Sequence, residues 1–291
     1  MANEWMIRLG VFGAVFAVMA LWEVAAARRT LTHGRGRRWP NNLGLLLVDV
    51  AVLRLTIPGL AIAVAVAGES NGWGLMHYLD LPGPLAFVVA ILLLDLAIYF
   101  QHVMFHAVPT LWRLHRVHHS DVDVDITTGT RFHPVEIVIS MGIKAAAVAA
   151  IGASPEAVLV FEVLLNATAM FNHANVSLPG RLEALVRGVV VTPDLHRIHH
   201  SIVYHESSSN FGFNLSWWDR LFGTYRGQSL AGQDAMILGV DAFRDERDLR
   251  LDRLLIQPWL DTPGGYAINR RPAPAARQDR ISRLRRPLRH E

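Results

Sequence analysis

Leu85-Ala-Phe-Val-Val-Ala-Ile-Leu-Leu-Leu-Asp-Leu-Ala-Ile-Tyr-Phe-Gln-His-Val-Met-Phe-His106 carries an apolar run, broken only by Asp95, directly into two histidines four positions apart. A membrane-spanning helix needs roughly 20 apolar residues. Leu85 to Phe100 reaches that length once Pro84 and Gln101 to Met104 are added. Residues i and i+4 of a helix share a face, so His102 and His106 project together from one end of a spanning helix. This reading sets the fold class as an all-α membrane bundle with a histidine-rich cap. The whole composition agrees. Hydrophobic residues make up 52% of the chain and charged residues 18%, against about 25% charged in soluble domains.

Three further apolar regions supply the bundle. Leu9 to Ala27 is interrupted only by Glu23, and Leu43 to Ala67 carries Asp49 and Arg54. Both are long enough to be read as single spans. The last region, Val135 to about Met170, is broken at Gly152-Ala153-Ser154-Pro155. Gly and Pro punctuate helices, so it reads as a hairpin of two shorter helices. The bundle is thus expected to hold four or five spanning or re-entrant helices. Arg28, Arg29, Arg35, Arg37 and Arg38 follow the first helix, whereas Gly68 to Gly83 has no Lys or Arg. The positive-inside rule then places the first loop, and with it the histidines, in the cytoplasm. A bacterial inner membrane is the expected location. The first helix does not read as a signal peptide, because its apolar run is long and no A-x-A-like site is followed by a soluble mature sequence.

His102 and His106 are the first of three histidine clusters. His115, His118 and His119 form H-x-x-H-H, and His196, His199 and His200 repeat it. With His133 and His173, ten of the fourteen histidines fall between positions 102 and 200. Neutral imidazole is the commonest side-chain metal ligand. Eight clustered histidines exceed the roughly three or four protein ligands of a zinc site, so the count points to two metal ions. His133, before Pro134, and His173, at the end of the hairpin, are expected to complete the ligand set. His33, His77, His205 and His290 read as ordinary polar residues. Each cluster is expected to aim its nitrogens at one point. Cysteine is absent, which removes thiolate sites and disulfides. Asp95, Glu136, Asp194 and Asp219 are candidates to orient the ligating rings, because carboxylates commonly bond the second nitrogen of a metal-bound imidazole. Asp95 lies seven and eleven residues before His102 and His106, on the same helical face. Trp112, Phe132, Phe171, Trp217 and Trp218 line an access route or form an interfacial belt.

Order and spacing of several stretches resemble the fatty acid hydroxylase/sterol desaturase superfamily. They are Asp95 to His106 of the stretch quoted above, Leu111-Trp-Arg-Leu-His-Arg-Val-His-His-Ser120, Arg131-Phe-His-Pro-Val-Glu136, Phe171-Asn-His-Ala-Asn175, Thr192-Pro-Asp-Leu-His-Arg-Ile-His-His-Ser201, Asn210-Phe-Gly212 and Trp218-Asp-Arg-Leu-Phe-Gly-Thr-Tyr225. The resemblance covers residues 85 to 226. It implies a non-haem di-iron site that activates O2, with an external electron donor of ferredoxin or cytochrome/reductase type. The implied reaction is hydroxylation or desaturation of a sterol, hopanoid, fatty acyl or related lipid. A zinc-dependent membrane hydrolase and a non-catalytic membrane protein with a decayed site are the alternatives.

Four segments follow from these readings. Residues 1–84 are N-terminal helices and a basic loop, and 85–230 are the catalytic region. Residues 231–262 form a cytoplasmic extension, and 263–291 an Arg- and Pro-rich tail expected to be disordered. Such a tail suits anionic lipid headgroups and, lacking interleaved aromatics, does not suggest nucleic acid. Asn166-Ala-Thr, Asn175-Val-Ser and Asn214-Leu-Ser match the glycosylation pattern by chance.

Overall fold

The computed structural model describes residues 4–261; the basic tail lies outside them. Helix α1 (Glu4–Ala25) rises to the cap, α2 (Arg35–Thr56) and α3 (Leu60–Asn71) descend, and the short α4 (Leu75–Leu79) turns the chain at the far end. Helix α5 (Gly83–Ala107) returns and is followed at once by α6 (Pro109–His119). Helices α7 (Pro134–Ile151) and α8 (Pro155–His173) form the expected hairpin. Four helical segments, Glu4–Ala25, Arg35–Leu79, Gly83–Ala107 and Pro134–Ile151, are long and apolar enough to cross a membrane. Short helices build the cap: α9 (Gly180–Arg187), α10 (Pro193–His199), α11 (Tyr204–Ser207), α12 (Trp217–Leu221), α13 (Gly232–Ala235) and α14 (Leu251–Ile256).

The second apolar region is two helices, not one. Pro58 cannot donate to the helical ladder and disfavours helix at the residue before it. Gly59 then adopts φ +64°, a left-handed conformation that costs glycine little. The break lets α3 tilt onto α7 and α8. Ala61 and Ala65 join Leu94, Ile98, Val148 and Phe161 in the main apolar core. At the far end Gly74 and Gly152, both at positive φ, press together. A Cβ on Gly74 would stand 2.2 Å from the Gly152 nitrogen.

The cap is fastened to the bundle by buried charge. Arg38 is fully buried, with Nε donating to Asp121 Oδ1 at 3.0 Å and Nη2 to Asp121 Oδ2 at 2.7 Å. It also pairs with Asp125. Burial opposes the Asp121 charge, but the Arg38 and Arg131 guanidiniums overcome it and hold the carboxyl well below the usual range. Glu23, read from sequence as a mere interruption, accepts from the Ile126 and Asn175 amides at 2.8 and 2.9 Å. Arg35 donates to the Glu23 carbonyl. Part of the arginine group read as a topological signal is therefore structural. Nor do residues 231–261 stand apart from the bundle. Leu254 packs with Leu45 and Val117, and the Gln257 carbonyl accepts from Arg116 at 2.5 Å.

Removing one partner of a buried ion pair leaves the other charge uncompensated, typically at about 3–5 kcal/mol. Arg38→Ala should therefore lower the thermal midpoint of the detergent-solubilised protein sharply, whereas Arg37→Ala, at an exposed side chain, should leave it nearly unchanged. Equal midpoints for the two variants would contradict the anchoring role of Arg38.

Candidate metal centre

Nine of the ten predicted histidines converge, as two groups. His102, His106, His115, His119 and His199 form the first, and His118, His173, His196 and His200 the second; within each group the donor atoms lie within 4.8 Å of one another. All nine are buried. The clusters do not each serve one point. In each H-x-x-H-H box the i, i+4 pair joins one group and the remaining histidine crosses to the other. A helix advances about 100° per residue, so i+4 returns close to i, while i+3 falls on the other side of it. His115 and His119 thus face the first group and His118 the second. His196 and His200 face the second and His199 the first. The groups share a wall of imidazoles: His119 stacks on His200 with ring centroids 4.5 Å apart, and His115 on His118 at 5.2 Å.

Local sequence explains the placement. Both boxes end helices that begin with proline, Pro109 and Pro193, a favoured first helical residue. The Thr192 hydroxyl caps the second helix by accepting from the Leu195 amide. Gly129 lets the cap loop approach α8, since a Cβ there would stand 2.8 Å from the Ala169 carbonyl and 3.3 Å from His173 Nδ1.

Hydrogen bonds fix the tautomers. Nδ1 of His102 donates to the Phe211 carbonyl at 2.8 Å, that of His118 to Thr128 at 3.1 Å, that of His173 to Ala169 at 2.7 Å and that of His199 to Ser209 at 2.7 Å. A carbonyl only accepts, so these Nδ1 atoms carry the proton and Nε2 presents a lone pair. Yet Nε2 atoms face one another: His102 and His199 at 3.0 Å, His173 with His118 at 3.1 Å and with His196 at 3.0 Å. Two such lone pairs at that distance repel unless a cation lies between them. His115 Nε2 is buried with no partner. Burial pushes the His115 imidazole down to about 3. Burial, followed by repulsion among the rings, holds His118, His119, His196, His199 and His200 well below the usual value. The set is neutral, convergent and deprotonated at the ligating atom, which metal binding requires. These residues fit a pair of ions.

His133 is not brought into either group. It caps α7: Nδ1 accepts from the Val135 amide at 3.1 Å, and Nε2 donates to the Leu255 carbonyl at 3.0 Å. Both nitrogens are committed, so the expectation that it completes the ligand set gives way to a capping role. Of the four carboxylates, Glu136 alone contacts a converging histidine, at 2.6 Å from His115 Nδ1. Asp95 instead accepts from Trp218 Nε1 at 2.8 Å and the Leu215 amide at 3.2 Å. It is two turns below His102, too far down the helix to reach the ring. Asp219 acts one step removed, accepting from the Phe211 and Gly212 amides at 2.7 and 2.8 Å, while the Phe211 carbonyl holds His102. Asp194 pairs with Arg197 at 2.6 Å and touches no histidine.

A cavity of about 610 Å³ opens from the first group into the bundle. His102, His115, Phe105, Phe132 and Phe213 line its inner end. Of the five aromatics singled out in the sequence, Phe132 alone lines it; it also stacks on His118 at 4.6 Å. Trp112 packs against His106 and His119, and Trp217 is exposed. Sequence reasoning missed Phe105, Phe213, Arg38 and Asp121. The alternating Asp121-Val-Asp-Val-Asp125 was the one available signal for the anchor.

The fatty acid hydroxylase family model matches residues 87–224. The chain is 28% identical over 229 residues to the ornithine lipid hydroxylase of Rhizobium tropici, covering 74% of this chain and 66% of that protein. It is 30% identical over 172 residues to the alkylglycerol monooxygenase of Danio rerio, covering 58% and 36%. It is 29% identical over 146 residues to human cholesterol 25-hydroxylase, covering 48% and 51%. The chain therefore spans less than two thirds of the length of these relatives. No solved structure matches it. By these matches and its histidine pattern, residues 87–224 are similar to the fatty acid hydroxylase family.

Partners that orient a ligating histidine are typically worth about 10–100-fold in metal affinity or activity. Glu136→Ala should therefore release bound metal to a chelator about tenfold faster than wild type. Asp95→Asn, which keeps an oxygen for the Trp218 indole, should stay close to wild type. The reverse order would contradict the assignment of Glu136.

Proposed function

We propose that the protein is an O2-dependent di-iron oxygenase that hydroxylates a membrane lipid. The observation that carries this reading is the pair of adjoining buried polyhistidine groups, the first of which opens on a cavity inside a membrane bundle. Two irons, when bound, supply the reduction of O2 and the oxidising power to replace C–H by C–OH. The overall balance is lipid-H, O2, two electrons and two protons giving lipid-OH and water. The electrons come from an external donor of ferredoxin or cytochrome/reductase type. The chain's own residues hold and orient. His102, His106, His115, His119 and His199 would hold one ion, and His118, His173, His196 and His200 the other. Glu136 fixes the His115 ring, and the Phe211, Ser209, Thr128 and Ala169 carbonyls fix four others. Phe105, Phe132 and Phe213 exclude water where the lipid chain meets the first group.

Hydroxylation is preferred to desaturation because the relatives named above are hydroxylases and monooxygenases. Five donors in one group exceed the roughly four ligands of a tetrahedral zinc site. A bacterial inner membrane with the cap in the cytoplasm is the reading that brings the site to soluble reductant.

Membranes containing the protein, supplied with reductant and 18O2, should yield a lipid carrying one 18O atom, read by mass spectrometry. His118→Ala and His199→Ala, one from each group, should each lower that product at least about a hundredfold while the protein remains in the membrane. Label arriving from H2 18O instead of 18O2 would contradict an oxygenase.

A further inference from the structure

The cavity is apolar at its inner end but not throughout. Arg8, Lys144 and Glu162 meet on its wall, with Arg8 and Lys144 donating to Glu162 at 2.6 and 2.7 Å. Those charges satisfy one another and tie α1, α7 and α8 together. Asp49 on α2 is different. It lines the same cavity, is 4% exposed, and has a buried Oδ1 without a hydrogen-bond partner. No hydrogen bond or ion pair reaches it from the described residues. Glu136, another carboxylate on the cavity wall, is already bonded to His115. Arg54, five residues along α2, also lines the cavity but is exposed.

A carboxyl on a spanning helix is costly to insert and marks a functional site when no internal partner accounts for it. Nearly all buried polar groups are hydrogen-bonded, so a carboxyl without a partner in a cavity wall asks for one from the occupant. Asp49 offers oxygen acceptors. Gln101 lies nearby on the cavity wall, bonded to Ser140 at 2.8 Å, with its other amide atom unpartnered. Glu4, at the outer end, likewise has a buried, unpartnered oxygen. The unmet demand along this wall is thus chiefly for hydrogen-bond donors. A plain hydrocarbon chain would leave it unmet.

We propose that Asp49 is a substrate-recognition group that accepts a hydrogen bond from a donor on the lipid, an ammonium, amide N–H or hydroxyl, and so sets which carbon of the attached chain lies against His102 and His115. This rests on the lipid-oxygenase reading and specifies its substrate class: a lipid functionalised with a donor, in preference to one without. Asp49 is a positioning residue. It touches neither group of histidines.

The test is binding by the full-length, iron-loaded protein in lipid nanodiscs, with two radiolabelled probes of equal acyl length. N-palmitoylethanolamine carries an amide N–H and a hydroxyl; methyl palmitate carries no donor. Leaving a buried polar group without its hydrogen-bond partner costs about tenfold in affinity. Asp49→Leu should weaken N-palmitoylethanolamine by that factor and leave methyl palmitate within about twofold. Asp49→Asn, which keeps an acceptor oxygen, should retain most of the binding. Ligand-free Asp49→Leu should melt no lower than wild type, because it removes an unpaired carboxyl from a spanning helix. Unchanged binding of N-palmitoylethanolamine to Asp49→Leu would overturn the proposal. So would equal loss of both probes, or a lowered melting temperature with lost iron, either of which would make Asp49 structural. Failure of 18O2 incorporation in wild type would sink the oxygenase reading alone, since the difference between the probes does not depend on turnover.

Discussion

Convergent lone pairs are the constraint on which the rest of this structure depends. Nine buried imidazoles turn their acceptor nitrogens toward two adjoining points, an arrangement that is repulsive unless cations occupy those points. The fold must therefore hold the rings in place against repulsion and keep them deprotonated. Backbone carbonyls at Phe211, Thr128, Ala169 and Ser209 do the first by taking the Nδ1 protons. Burial does the second. Metal binding and folding should be closely coupled as a result, because ions relieve a repulsion that the apoprotein must otherwise bear.

The bundle supplies that rigidity at low cost. Spanning helices insert on their apolar content, so the site is carried to the membrane face whether or not metal is present. Helices α5 and α8 each end in a converging histidine, at His106 and His173. Buried charge then locks the cap down: Arg38 on Asp121, and Glu23 on the Ile126 and Asn175 amides. These pairs need a dry, fixed surround to hold their geometry, and that surround also keeps water from the histidines.

Sequence showed the site more fully than it showed the fold's anchors. The histidine spacing is helical and local, so clusters at 102–106, 115–119 and 196–200 could be read directly. How each box divides between the two groups could not, because that depends on how α6 and α10 face each other across the site. His133 was misread for a related reason. A histidine before a proline at a helix start can cap the helix as readily as bind a metal, and the choice rests on the Leu255 carbonyl, 122 residues away. Asp95 shared a helical face with His102 but sits too deep to reach it, and Trp218 takes it instead. Arg38 and Asp121 look like surface charges in sequence, and only the tertiary fold buries them. Pro58-Gly59 breaks the apolar run from Leu43 to Ala67, whose length alone reads as a single span.

Metal content of the purified wild-type protein tests the central claim most directly. After expression with added iron and anaerobic extraction, elemental analysis should give about two irons per chain, as the proposed di-iron site predicts. A single metal ion per chain with all nine histidines intact, or zinc bound in preference to iron, would contradict the account.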